Sequence, residues 1–246
     1  LRGMTSFVAS ICSIPSLQKF LPQIFIAGPR VLSPDAAANF NAAAPGPVYY
    51  WAESSAWNRG PLMQRYLELL AASLDHVTDR FQIILVLDTA TPHLGDLVAE
   101  TAARLNIWMV MVPSGLTWLL QPADTHVMAG LKSYLLREHL RVASLSPGGI
   151  VDDEEWAKIL ARAATDFLGS RNWEAAFEQT GAGCRGVAAL GATLLRKLRP
   201  CRPDQIASVP PGCPDTQEIK SLFPRNRRVN TSLYFKCPVA RLLDVR

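Results

Sequence analysis

Apolar positions along this chain change period several times, and the changes mark its elements. Residues 4–12 (Met4-Thr-Ser-Phe-Val-Ala-Ser-Ile-Cys12) alternate loosely and predict a strand, Ile14-Pro-Ser16 a turn, and Gln23 to Ala27 a second strand, so the pair predicts a hairpin. Residues 28–47, rich in Pro, Ala and Asn, predict a loop, and Val48-Tyr-Tyr-Trp51 predicts a short further strand. The period then lengthens. Over 61–79, Pro61 stands in a first turn, and Leu62, Tyr66, Leu69, Leu70 and Leu74 share one face of a predicted helix. The run from Gln82 to Leu87 is nearly all apolar and predicts a buried strand. A helix over 94–105 follows, with Leu94, Leu97, Val98 and Leu105 inward. Ile107 to Val112 is then a strand ended by Pro113-Ser-Gly115. A strand–helix–strand unit of this kind predicts a right-handed parallel crossover. Active groups of such sheets gather at the carboxyl ends of the strands, where Asp88 lies. A helix over 124–142 comes next, with Asp124 near its start.

Beyond Pro147-Gly-Gly149 the pattern is helical. Asp152 to Glu155 place acids in the first turn of a helix reaching about Leu168. Asn172 caps a short helix through Phe177, with Gly181 near its end, and another helix is predicted over 186–198. From Pro200 the chain is Pro-rich, basic and weakly periodic, which predicts an extended, partly disordered tail. The expected division is therefore an α/β body over 1–145, a helical extension over 150–199 and a basic tail over 200–246.

Charge sharpens that division. The whole chain of 246 residues carries a formal net charge of +4, but residues 180–246 hold 12 Lys/Arg against 4 Asp/Glu. The body before them is mildly acidic. A basic tail suits a polyanion such as DNA; a solvated tail with no partner is the plain alternative. Arg196, Lys197 and Arg199, and Arg225, Arg227 and Arg228, are the clusters placed to contact phosphate or to signal nuclear import. The apolar runs are too short to span a bilayer, and no charged segment followed by an apolar one opens the chain. The first residue is Leu, so the sequence is expected to begin inside a longer reading frame. Five widely spaced cysteines contain no C-x2-C pair, which gives zinc ribbons and redox motifs no support.

The candidate chemistry rests on two carboxylates. A strand-end Asp88 and a helix-start Asp124 are what a site needs to bring oxygen ligands onto shared divalent cations. Each alone reads equally as a loop acid or a helix cap. Their surroundings are more specific. Ile84-Leu-Val-Leu-Asp88-Thr-Ala-Thr-Pro-His93, then Met111-Val-Pro-Ser-Gly-Leu-Thr117-Trp-Leu-Leu-Gln121-Pro122-Ala-Asp124, then Gly130-Leu-Lys132, resemble the DDE superfamily endonuclease domain of pogo-like and Tc1/mariner-like transposases. The early hairpin, Ala56-Trp57 with the helix around Tyr66, and Trp173-Glu-Ala-Ala-Phe177 extend the resemblance over about 4–183.

The resemblance implies an RNase H-like mixed sheet flanked by helices. It also implies DNA as partner, a nuclear location, a homodimer as one option, and metal-dependent phosphodiester cleavage and strand transfer with Mg2+ (or Mn2+). Asp88 would be the second family carboxylate and Asp124 the third. His93 would support the site, and Gln121 and Pro122 would shape the turn presenting Asp124. The family's first Asp lies on a strand before the early hairpin, and this chain starts at that hairpin; Asp35 and Glu53 fall in the wrong place to replace it. Thr89 stands where the family usually has Asn. These departures predict a catalytically incomplete site. The alternative is a domesticated or degenerate transposon-derived protein that binds nucleic acid without catalysis. An unrelated Rossmann-like enzyme finds no Gly-rich loop after a strand.

Overall fold

A computed structural model describes residues 5–44, 46–54, 59–183 and 190. Five strands form two small sheets among helices. Strands β1 (Thr5–Val8) and β2 (Gln23–Ala27) are antiparallel, and β3 (Val48–Ala52) joins the other edge of β2 in parallel. Strands β4 (Ile83–Asp88) and β5 (Ile107–Val112) form a parallel pair, with Asp88 opposite Val112. The predicted hairpin and the β4–helix–β5 unit are both present. The predicted loop over 28–47 is corrected. It holds helix α1 (Pro34–Ala43), whose Ser33 side chain accepts from the Ala36 N–H and whose first position is Pro34.

Helix α2 (Gly60–Leu74) sits between the sheets. It buries Leu62, Met63, Tyr66, Leu67, Leu70 and Leu74. These pack on Ile24, Ile26 and Trp51 from one sheet and on Ile83, Leu85, Leu87 and Ile107 from the other. Strict alternation sends Phe25, Ala27, Val48 and Tyr50 to the opposite face. There they meet Ala157, Leu160 and Ala164 of helix α6 (Asp153–Arg162) and the turn after it. Every position of β2 is therefore buried. Tyr50 also donates its hydroxyl to the Ala157 carbonyl at 2.7 Å, and burial pushes its phenol up to about 12.

Leu67 is fully buried in the α2 cluster. Leu67→Ala is expected to lower the unfolding free energy by about 2–5 kcal/mol, read from chemical denaturation. A loss below about 1 kcal/mol would mean that α2 does not hold the two sheets together.

Two burial expectations are corrected. Strand β4 is only half-buried, and Ile84 is 54% exposed beside its register partner Trp108 at 61%. The run is apolar on both faces, but α2 covers only the Ile83, Leu85 and Leu87 face. Among the described residues β4 pairs with β5 alone. Leu94 and Leu97 are exposed, not inward. Helix α3 spans Asp96–Arg104, after Gly95 at φ +126°, and turns Val98, Thr101 and Ala102 to the core. Asp153, Glu154 and Glu155 stand in the first turn of α6, as expected, with Asp152 its cap through the Glu155 N–H; at helix α7 (Glu174–Thr180) Trp173 and not Asn172 holds the cap position, and Asn172 accepts from the Glu174 N–H just ahead of it. Apart from Leu190, the predicted helix over 186–198 lies outside the described residues, as does the tail from Pro200.

Candidate active site

The site is assembled where β4 and β5 end. Asp88 is the last residue of β4, and its carboxylate is about one-third exposed. The chain leaves through Thr89 and Ala90 into a single tight turn at Thr91–His93, which brings His93 back onto Asp88. His93 Nδ1 lies 2.6 Å from Asp88 Oδ1 and 3.0 Å from the Asp88 carbonyl oxygen. Both neighbours are acceptors, so Nδ1 carries the proton. Asp88 Oδ1 also accepts from the Ala90 N–H at 3.3 Å. Oδ1 of Asp88 is thus committed to the protein, and Oδ2 meets no partner among the described residues. His93 is the less exposed partner, with 17% of its side chain accessible.

From β5 the chain turns at Pro113–Leu116, closed by the Leu116 N–H to the Pro113 carbonyl, with Gly115 at φ +80°. One helical turn, α4 (Thr117–Leu120), buries Leu119 and leads to Gln121 and Pro122. Asp124 then stands in a wide π-type turn, Ala123–Val127, that runs into helix α5 (Met128–Leu145). Such turns are over-represented at functional positions. Thr125 holds this one, donating its hydroxyl to the Gln121 carbonyl at 2.9 Å, and its hydroxyl is also 2.7 Å from His126 Nδ1. Buried Val127 and Pro122 anchor it. Asp124 is exposed, and no hydrogen bond or ion pair engages its carboxylate among the described residues. Gln121 Oε1 is buried without a hydrogen-bond partner there, a position that calls for a donor.

The structure therefore brings Asp88 and His93 into direct contact and puts Asp124, Gln121 and Pro122 on one turn after β5. No bond links Asp124 to the Asp88–His93 pair. Among the described residues no three His, Cys, Asp or Glu side chains gather as a metal-holding group. The donors are nonetheless of the right kind. Two carboxylates with uncommitted oxygens fit a hard divalent cation that takes few protein ligands and keeps its waters. Arg196, Lys197, Arg199, Arg225, Arg227 and Arg228 lie outside the described residues. Sequence reasoning missed the Ala90 N–H, a backbone donor that only the turn reveals. It also missed Thr125, for which the i to i−4 spacing from Gln121 was the available signal.

Residues 6–174 match the family model described as DDE superfamily endonuclease. The chain belongs to this family. The match covers both carboxylate segments and most of the described fold, whose mixed α/β layout is compatible with an RNase H-like DDE domain. No curated protein and no solved structure gives a match. The DDE family is generally divalent-metal dependent and implies a nucleic-acid substrate. Among the described residues no helix is long and apolar enough to cross a membrane.

Proposed function

We propose that this DDE domain serves metal-dependent phosphodiester cleavage and strand transfer on DNA, of the pogo-like or Tc1/mariner-like kind, with Asp88 and Asp124 as two of its carboxylates. The observation that carries the reading is Asp88 itself. It ends a parallel strand, is held through Oδ1 by His93 and Ala90, and leaves Oδ2 without a partner among the described residues. In this reading Asp88 Oδ2 and the Asp124 carboxylate would hold a Mg2+ or Mn2+ ion. When bound, such an ion lowers the pKa of the attacking hydroxyl or water and steadies the leaving oxyanion. His93 keeps Asp88 in one rotamer, and Thr125 braces the turn that carries Asp124.

A third carboxylate is needed to complete a triad, and we place it on a strand added beside β4. A continuous apolar run such as β4 is typical of strands flanked on both edges and covered on both faces. Here β4 has one strand neighbour among the described residues, and Ile84 is exposed. The test is nicking of supercoiled plasmid by the chain, extended by any reading frame found to continue upstream of it, with Mg2+ or Mn2+ against chelator. Metal-dependent nicking is the expected result. An upstream frame that encodes no strand with an Asp, or nicking indifferent to chelator, would remove the proposal.

A second reading is favoured by the excess of 12 basic over 4 acidic residues in 180–246: a transposon-derived protein that binds nucleic acid without cutting it. Its binding is expected to fall steeply with salt, at a logarithmic slope of about −0.9 per duplex phosphate contacted. Under this reading Asp88→Ala and Asp124→Ala leave affinity intact, and deleting 185–246 removes most of it. Unchanged binding after that deletion would exclude the tail as the binding element.

A further inference from the structure

We infer that Arg137 and Arg171 form a phosphate-binding ledge on the domain body, a contact for the DNA backbone separate from the carboxylates and from the basic tail. The inference rests on the nucleic-acid reading above and deepens it. Basic side chains of the body divide by partner. Arg65, Arg104, Arg141 and Arg162 each meet a carboxylate, as does Lys158. Arg137 and Arg171 meet aromatic rings instead. The Arg137 guanidinium lies over Tyr134, 5.3 Å from the ring centre, and that of Arg171 lies over Phe167 at 4.0 Å. The two rings are themselves 5.6 Å apart. One aromatic pair thus joins an arginine of α5 to an arginine that precedes α7.

The support is rigid. Phe167 is buried in the wide turn after α6 and packs on Trp173, whose indole N–H donates to the Leu168 carbonyl at 2.9 Å. Gly130 of α5 makes room for the ring: a Cβ there would stand 2.9 Å from Phe167 Cζ, closer than side chains pack. A guanidinium resting on a ring keeps the N–H groups of its rim for a second partner, and its planar fork matches two phosphate oxygens. Both arginines are exposed, and among the described residues neither donates a hydrogen bond nor meets a carboxylate. The neighbouring acids are engaged. Glu138 is shared by Arg141 and Arg162, and Asp166 accepts from the Thr165 hydroxyl at 2.8 Å. Four arginines therefore stand against two carboxylates, which makes this patch positive on a body that is mildly acidic. Such a patch fits a polyanion. Contacts of this kind fix the protein on the backbone of a duplex and read no sequence.

The test uses the full 246-residue chain and a labelled blunt DNA duplex of arbitrary sequence, titrated by fluorescence anisotropy at several salt concentrations. Arg137→Gln and Arg171→Gln should each lower the logarithmic salt slope by about 0.9, and weaken binding roughly fivefold to tenfold near 0.1 M salt. Arg137→Lys and Arg171→Lys keep the charge and should keep the slope. Arg104→Gln removes an equal charge from a pair with Glu68 and should leave the slope where it was. Thermal melts report folding, and Arg137→Gln decides the matter if Arg171→Gln melts early. Unchanged slopes in Arg137→Gln and Arg171→Gln would overturn the ledge while leaving nucleic-acid binding in place. An equal fall in Arg104→Gln would overturn it too, because the effect would then belong to net charge and not to this patch. Failure of wild type to bind the duplex would overturn the nucleic-acid reading itself, and the ledge with it.

Discussion

Asp88→Asn, introduced into the chain extended by any reading frame found upstream of it, is expected to reduce metal-dependent nicking of plasmid DNA by about 10²–10³-fold. Asn has the size of Asp and keeps an oxygen that can accept from His93 Nδ1 and the Ala90 N–H. The change falls on Oδ2, which becomes an uncharged NH2 that donates hydrogen bonds and repels a cation. Stability should hardly move, because the Asp88–His93 pair is partly exposed and pairs of that kind contribute about 0–1 kcal/mol. The variant thus separates loss of chemistry from loss of fold. Nicking that persists at the wild-type rate would show that Asp88 is an ordinary strand-end acid.

The second large effect is expected at His93, which acts through its contact with Asp88. Its Nδ1 bridges the Asp88 carboxylate and the Asp88 carbonyl at 2.6 and 3.0 Å, so it fixes both the side chain and the strand end that carries it. Residues that orient a metal-binding group typically contribute 10–100-fold in metal affinity. His93→Ala should therefore weaken Mn2+ binding by about that range in calorimetric titration. His93→Gln, which retains a side-chain N–H donor, should recover part of the loss. A His93→Ala variant that bound Mn2+ more tightly would mean that His93 competes with the cation for Asp88 and does not position it.

Much of the fold was legible because the apolar period is clear where tertiary packing is simple. Helix α2 shows the face it buries, and the acids that follow Asp152 stand in the first turn of α6 where the helix dipole favours them. Helix α1 was hidden by its composition. Ala and Asn between two prolines read as loop, and the decisive Ser33–Pro34 start is short-range information easily outweighed. Strand β4 misled in the opposite sense: its apolar run announces two covered faces, and α2 covers one. Leu94 and Leu97 read as inward on a helix that starts at 94; the positive φ of Gly95 puts the start at Asp96 and turns Val98, Thr101 and Ala102 to the core instead.

The site was legible in part for a similar reason. Spacing placed Asp88 at a strand end and His93 five residues later. The contact between them depends on a turn whose geometry no spacing specifies. The wide turn that carries Asp124 was equally out of reach. It depends on how the β5 end closes over Pro113–Leu116.

The most direct test of the central claim, that Asp88 and Asp124 serve one divalent cation, is a double-mutant cycle in Mn2+ affinity on the chain, extended by any reading frame found upstream of it. Asp88→Asn and Asp124→Asn should each weaken binding strongly. Combining them should cost much less than the sum of the two, because removing either ligand already dismantles the shared site. Full additivity, or an Asp124→Asn variant that binds Mn2+ like wild type, would contradict the assignment.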